Sequence, residues 1–299
     1  MTERELSSIE AELNPPFTVL APVRQSAPFV FCSPHSGRVY PTTFLADTRL
    51  TAGGLRKSED CYVEELFSGV CELGAPLIAA QFPRAYLDVN REPYELDPEL
   101  FHDPLPPFAN TQSARVAAGL GTIARIVADG EEIYARKLSL GQAIARIDRL
   151  YRPFHAALAG LIDQTRARFG FCVLIDCHSM PSLPTSQASP ARPDFVLGDR
   201  FGASCDARLT RVVRDTLSTL GYDVLLNRPY AGGYITEHYG RPARASHALQ
   251  IEINRALYLD EATFAPTRRL PYLRRHLTQL AARLFVEIPH ALERRTAAE

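Results

Sequence analysis

The chain has 299 residues, 46% hydrophobic and 22% charged, with 33 Lys and Arg against 34 Asp and Glu for a formal net charge of -1. That length supports one large α/β domain, and the charge balance excludes the basic footprint of a nucleic-acid binder or of a protein drawn to an anionic membrane. Its apolar runs are of strand length, short of the roughly 20 residues that a spanning helix needs.

Residues 1–16 are polar and acidic, unlike the start of a signal peptide, and Pro15 and Pro16 close them off. They are expected to form an arm, mobile or docked on the surface of a single domain spanning 17–299. The six cysteines lie mostly within apolar segments and lack the spacing of a disulfide framework, which reads as reduced core thiols in a cytoplasmic protein. Cys177 is the exception, because it adjoins His178 and stays open as a nucleophile or metal ligand.

In chain order, Phe29 to Cys32 is an apolar strand that runs out into Ser33, Pro34, His35, Ser36 and Gly37. From Ser58, a plausible N-cap, Tyr62, Val63, Leu66, Phe67, Val70 and Cys71 share one helical face, which puts Glu59 and Asp60 in a first turn. Acids there complement the helix dipole, or one of them reaches a metal position set by His35. A strand near Leu77 to Ala80 leads into PRAYLDVNREP, where Arg84, Asp88, Asn90 and Arg91 crowd together as if to recognise an anion. Pro93 to Pro107 reads as a long loop.

Helical patterns follow around Ser113 to Val127 and from Ser139, whose spacing to Gln142 makes a capping box; Pro153 should kink the second, and Gly170 should end it. Phe171 to Ile175 then forms a buried central strand that breaks into Asp176, Cys177, His178 and Ser179. In open α/β sheets ligands sit beyond the carboxyl ends of strands, so His35 and His178 both leave strands towards a site. Residues 181–193 are Pro- and Ser-rich and expected to be irregular. A strand at Phe195 to Leu197, a helix from Asp206 to Leu220 closed by Gly221 and a strand at Val224 to Leu226 continue the alternation. Arg228 to Pro242 reads as a Gly- and Tyr-rich loop, Ala248 to Asn254 as the last strand and Thr267 to Ile288 as a final helix. Such alternation predicts an α/β fold with a mostly parallel central sheet flanked by helices.

Two histidines and a carboxylate at one sheet edge would be three ligands of an open, catalytic zinc site. Glu252, between Ile251 and Ile253, either pairs with an arginine or serves as a general base beside such a site.

These residues resemble the N-formylglutamate amidohydrolases. The resemblance rests on SPHSG at 33–37, EDCYVEEL at 59–66, PRAYLDVNR at 83–91, LIDCHSM at 174–180, and YAGGYITEHYGRP at 230–242 running into ALQIEINRALY at 248–258. It implies a core similar to zinc carboxypeptidases, with a phosphorylase/hydrolase-like fold. It also implies one catalytic zinc, other divalent metals being possible, on His35, Asp60 and His178. Glu252 is then the catalytic base, and Arg84 supplies positive charge to the oxyanion or a second contact to the substrate carboxylate. Asn90 and Arg91 hold a substrate carboxylate, and Tyr234 and His238 line the pocket. Glu59-Asp60-Cys61 stands where the family's histidine-degradation members carry a Thr-Asp-Trp run, so Glu59 and Asp60 both stay open as third ligand. The implied partner is a small acidic N-acyl amino acid, N-formyl-L-glutamate in the first instance. The alternatives are another acyl amino acid or peptide fragment hydrolysed at its amide, or a non-catalytic protein that binds an acidic metabolite.

Overall fold

A computed structural model describes residues 2–127, 130–182 and 193–296. Its elements are α1 (Thr2–Glu12), β1 (Phe17–Leu20), β2 (Phe29–Ser33), α2 (Thr42–Asp47), α3 (Ala52–Arg56), α4 (Val63–Phe67), β3 (Leu77–Ala80), α5 (Ala114–Ala117) and α6 (Leu140–Arg146). The chain continues through α7 (Arg152–Phe169), β4 (Cys172–Met180), β5 (Phe195–Gly198), α8 (Ala207–Thr219), β6 (Val224–Leu226), α9 (Tyr234–Tyr239), β7 (Ser246–Asn254) and α10 (Leu270–Thr296), with a short hairpin of β8 (Leu259–Asp260) and β9 (Ala265–Pro266) before the last helix.

One seven-stranded sheet has the order β1-β3-β2-β4-β7-β5-β6. β4 runs parallel to β2 and β7, β6 runs parallel to β5, and the β5–β7 pair is antiparallel, the one such pair among the registers described for this sheet. The fold is thus α/β with a mostly parallel central sheet flanked by helices. Every residue of β4 and β7 is buried, as expected of strands covered on both faces.

Contacts divide the chain into two compact units. One comprises Val19–Ser33, Tyr62–Ile78 and Ala159–Glu299, and it holds most of the sheet. There α10 packs on α4 and α8, with Leu273, Leu277, Leu280 and Leu284 buried at helical spacing, while Phe285 meets Phe29 at 4.7 Å between ring centroids. α8 starts on its Asp206 cap, which accepts from the Arg208 amide, and buries Leu209, Val213 and Leu217.

The other unit comprises Met1–Thr18, Pro34–Cys61 and Ala79–Leu158. Residues 1–16, read as an arm, carry α1, and its Glu5 is 2% exposed. Glu5 Oε1 lies 2.6 Å from Arg146 Nε, and the Arg146 guanidinium, itself fully buried, stacks 3.9 Å above the Tyr86 ring and donates to Tyr134 Oη. Ser139 caps α6 with the full capping box to Gln142. Pro153 is the second residue of α7, and a π-helical turn, Ile147–Tyr151, directly precedes that helix.

Several expected elements differ. The helix expected from Ser58 starts only at Val63, because Tyr62 sits in the left-handed region at φ 61° and turns the chain there. Glu59 and Asp60 precede it, and the Asp60 amide donates to the His35 carbonyl at 3.0 Å. The helix expected over 113–127 shrinks to Ala114–Ala117, and the loop expected over 228–242 contains α9. The irregular stretch expected at 181–193 falls almost wholly on 183–192, outside the described residues. Among the described residues no helix is long and apolar enough to cross a membrane.

Candidate active site

The loop after β2 sets His35. Its ring is 1% exposed, with Nε2 2.7 Å from Asp88 Oδ1 and Nδ1 3.3 Å from Asp60 Oδ2. Asp88 is a hub: it also accepts from Arg84 Nε at 2.9 Å and the Asn90 amide at 2.8 Å, and Arg91 Nη2 lies 3.6 Å away. Burial alone would raise the Asp88 pKa, but the charges of Arg84, Arg91 and His35 and the His35 hydrogen bond together hold it well below the usual carboxylate range. The anion that the PRAYLDVNR cluster gathers is therefore, in the first place, its own Asp88.

β4 does not stop at Ile175. It continues to Met180, and Asp176 and His178 are alternate residues of one strand, so they leave the same face. His178 Nε2 lies 2.9 Å from Asp176 Oδ1. Cys177 points to the opposite face, and burial pushes its thiol well above the ordinary range, which removes it as a nucleophile.

One ligand atom from each of the buried residues His35, Asp60 and His178 lies within 4.8 Å of the others. This donor set suits a metal. Two imidazoles and a carboxylate make three ligands, and His35 spends Nε2 on the Asp88 carboxylate, which can only accept, so its lone pair belongs to Nδ1. Glu59 has other business: Tyr40 Oη donates to it at 2.5 Å, Arg56 Nε at 3.1 Å and Cys61 Sγ at 3.1 Å. Between Glu59 and Asp60, the second is the one in the group.

Glu252 is the register partner of His178 across the parallel β4–β7 pair, and Gln250 that of Asp176. Gln250 Nε2 donates to Glu252 Oε1 at 2.9 Å, while the Gly233 amide donates to Gln250 Oε1 at 2.7 Å. Thr236 Oγ1 donates to Asp176 Oδ2 at 3.1 Å. Arg91 is held flat by Nε on the Leu120 carbonyl at 3.0 Å and Nη1 on the Asn90 carbonyl at 2.8 Å. Tyr234 and His238 stack on each other with centroids 5.0 Å apart, and His238 is exposed.

The family model of N-formylglutamate amidohydrolase matches residues 27–259, spanning every residue of this constellation. The chain belongs to the N-formylglutamate amidohydrolase family. It is 30% identical over 237 residues to an N-formylglutamate deformylase of Pseudomonas putida, covering 78% of this chain and 82% of that one. The corresponding figures for the deformylase of Pseudomonas aeruginosa are 30% over 251 residues, 83% and 88%. The crystal structure of the N-formylglutamate amidohydrolase of Ralstonia eutropha JMP134 superposes with a TM-score of 0.85 at 37% identity, over 93% of this chain and 99% of that one.

Membership makes the protein a hydrolase acting on an amide bond. Sequence reasoning gave no role to Asp176, Thr236 or Gln250, and saw Asp88 only as part of a cluster. The signal for Gln250 was its two-residue spacing from Glu252, which puts both on one strand face.

Proposed function

We propose that the protein is a zinc-dependent cytoplasmic enzyme that hydrolyses N-formyl-L-glutamate to formate and glutamate. The observation that carries this reading is the register pair of His178 and Glu252. A carboxylate 7% exposed, flanked in its strand by Ile251 and Ile253, sits one strand over from a histidine of the candidate ligand group. The names of the relatives supply the substrate, and six free cysteines agree with a reducing compartment.

His35, Asp60 and His178 would hold the ion, which when bound polarises a carbonyl and makes water more acidic. Glu252 takes the proton of the attacking water as its oxygen bonds to the formyl carbon, and returns that proton to the nitrogen as the carbon–nitrogen bond breaks. Asn90 and Arg91 receive a substrate carboxylate. The two backbone carbonyls that fix the Arg91 plane spare it the entropy of ordering on binding. Arg84, less deeply buried than Asp88, offers positive charge to the oxyanion. Tyr234 and His238 border the pocket.

The test is formate release from N-formyl-L-glutamate, before chelation, after it and with zinc restored. Loss and recovery of activity support the reading. A protein that releases no formate from this substrate but cleaves other N-acyl amino acids in a panel would keep the reaction type and replace the substrate.

A further inference from the structure

The segment GGYIT at 232–236 reaches both halves of the chemistry through one intermediary each. The Gly233 amide donates to Gln250, which donates to Glu252; Thr236 donates to Asp176 Oδ2, and the other oxygen of that carboxylate lies 2.9 Å from His178 Nε2. Asp176 and Gln250 are register partners, as are His178 and Glu252, so the two relays lie side by side on neighbouring strands. They are almost dry: Asp176 and Thr236 are 0% exposed, Gln250 4%. In such surroundings a lost partner is not replaced by water, and the cost falls on the group left behind.

The geometry also fixes the direction of the Gln250 relay. A backbone N–H can only donate, so the amide must turn its oxygen to Gly233 and its NH2 to Glu252. The turn itself is seated by steric necessity: Gly232 lies at φ +115°, and a Cβ on Gly198 of β5 would come within 2.6 Å of the Ala231 carbonyl carbon and the Gly232 nitrogen.

We propose that Thr236 and Gln250 are positioning residues, Thr236 for the ligand His178 and Gln250 for the base Glu252, and that the turn before α9 holds both to one rigid reference. This deepens the function proposed above and rests on it.

The two relays predict separable defects. Zinc affinity is measured by competition with a chromogenic chelator, and kcat and KM by formate release at saturating zinc. Thr236→Val keeps the side-chain shape and should weaken zinc binding by roughly 10- to 100-fold, with Thr236→Ser restoring it. Gln250→Met should leave zinc affinity within about twofold while lowering kcat on the order of tenfold, with KM moving less. Zinc affinity in Thr236→Val equal to that of the unmodified chain would overturn the proposal. So would variants that lose affinity and kcat alike, since that is the mark of general loosening. If Thr236→Val does not fold, affinity in Thr236→Ser below that of the unmodified chain by as much as tenfold would overturn it, because the hydroxyl is still there. An unmodified chain that binds no zinc would instead bring down the function reading, and this inference with it.

Discussion

His178 on β4 and Glu252 on β7 are register partners in a parallel strand pair, so their side chains leave one face of the sheet next to each other. A histidine of the candidate metal group and a carboxylate placed this way need no loop to bring them together. The sheet ladder fixes their separation, and the Gln250 amide donates to the carboxylate that burial would otherwise penalise.

Replacing Glu252 by Gln keeps the shape and removes the proton acceptor. Turnover should fall by about 10²- to 10⁴-fold with zinc content unchanged. Formate-release kinetics beside metal analysis checks this, and turnover within tenfold of the unmodified chain would take Glu252 out of the base role.

Zinc should stabilise the folded chain through His35, Asp60 and His178. At a free concentration of a hundred times Kd the gain is about 2.7 kcal/mol, visible as a rise of several degrees in thermal midpoint that a chelator reverses. Asp60→Ala should abolish the increment. An equal rise in that variant would place the binding elsewhere.

Glu5→Gln should cost about 3–5 kcal/mol at neutral pH, because it strands the buried Arg146 charge. Burial by itself would raise the Glu5 pKa, but Arg146 and the hydrogen bonds from Tyr86, Arg146 and Gln142 bring it below the ordinary 4.5. A depressed carboxyl contributes its stability in full above the unfolded value and loses it as pH falls through the folded one. The gap in urea midpoint between the unmodified chain and Glu5→Gln should therefore narrow as pH drops below 4.5. A gap independent of pH would mean that the ionised pair is not what Glu5 contributes.

Two glycines should respond oppositely to alanine. Gly198→Ala forces a Cβ against backbone and should destabilise by about 1–3 kcal/mol, disturbing the turn before α9 and lowering activity. Gly160→Ala in α7 meets only Gln164 Nε2 at 3.9 Å and should stabilise by roughly 0.5–1 kcal/mol. Thermal midpoints of the two variants decide, and a stable Gly198→Ala would show that the turn can shift.

Local punctuation made much of the fold legible in advance. The Ser139 capping box, the Gly170 and Gly221 stops at positive φ and the apolar runs of β2 and β5 each rest on the chemistry of a few adjacent residues. The length of β4 was not legible, because Asp176 and His178 break its apolar pattern, and it takes the distant Thr236 hydroxyl, beside their own mutual contact, to make polar residues tolerable there. The same holds for Tyr62, whose left-handed backbone no residue-type rule announces, and for α1, which looks like a polar arm until Arg146 is seen to need Glu5. Within the site, the residue types of the candidate metal group were readable from motifs, but the choice of Asp60 over Glu59 was not. The relays through Asp176 and Gln250 required the strand register.

The Glu5–Arg146 pair joins residues 141 apart in the chain. While the polypeptide is being made, α1 emerges long before the guanidinium it must neutralise, and closing so large a loop is slow. Its docking therefore belongs late in the assembly of its unit. For this helix, then, the order along the chain and the order of folding run opposite ways.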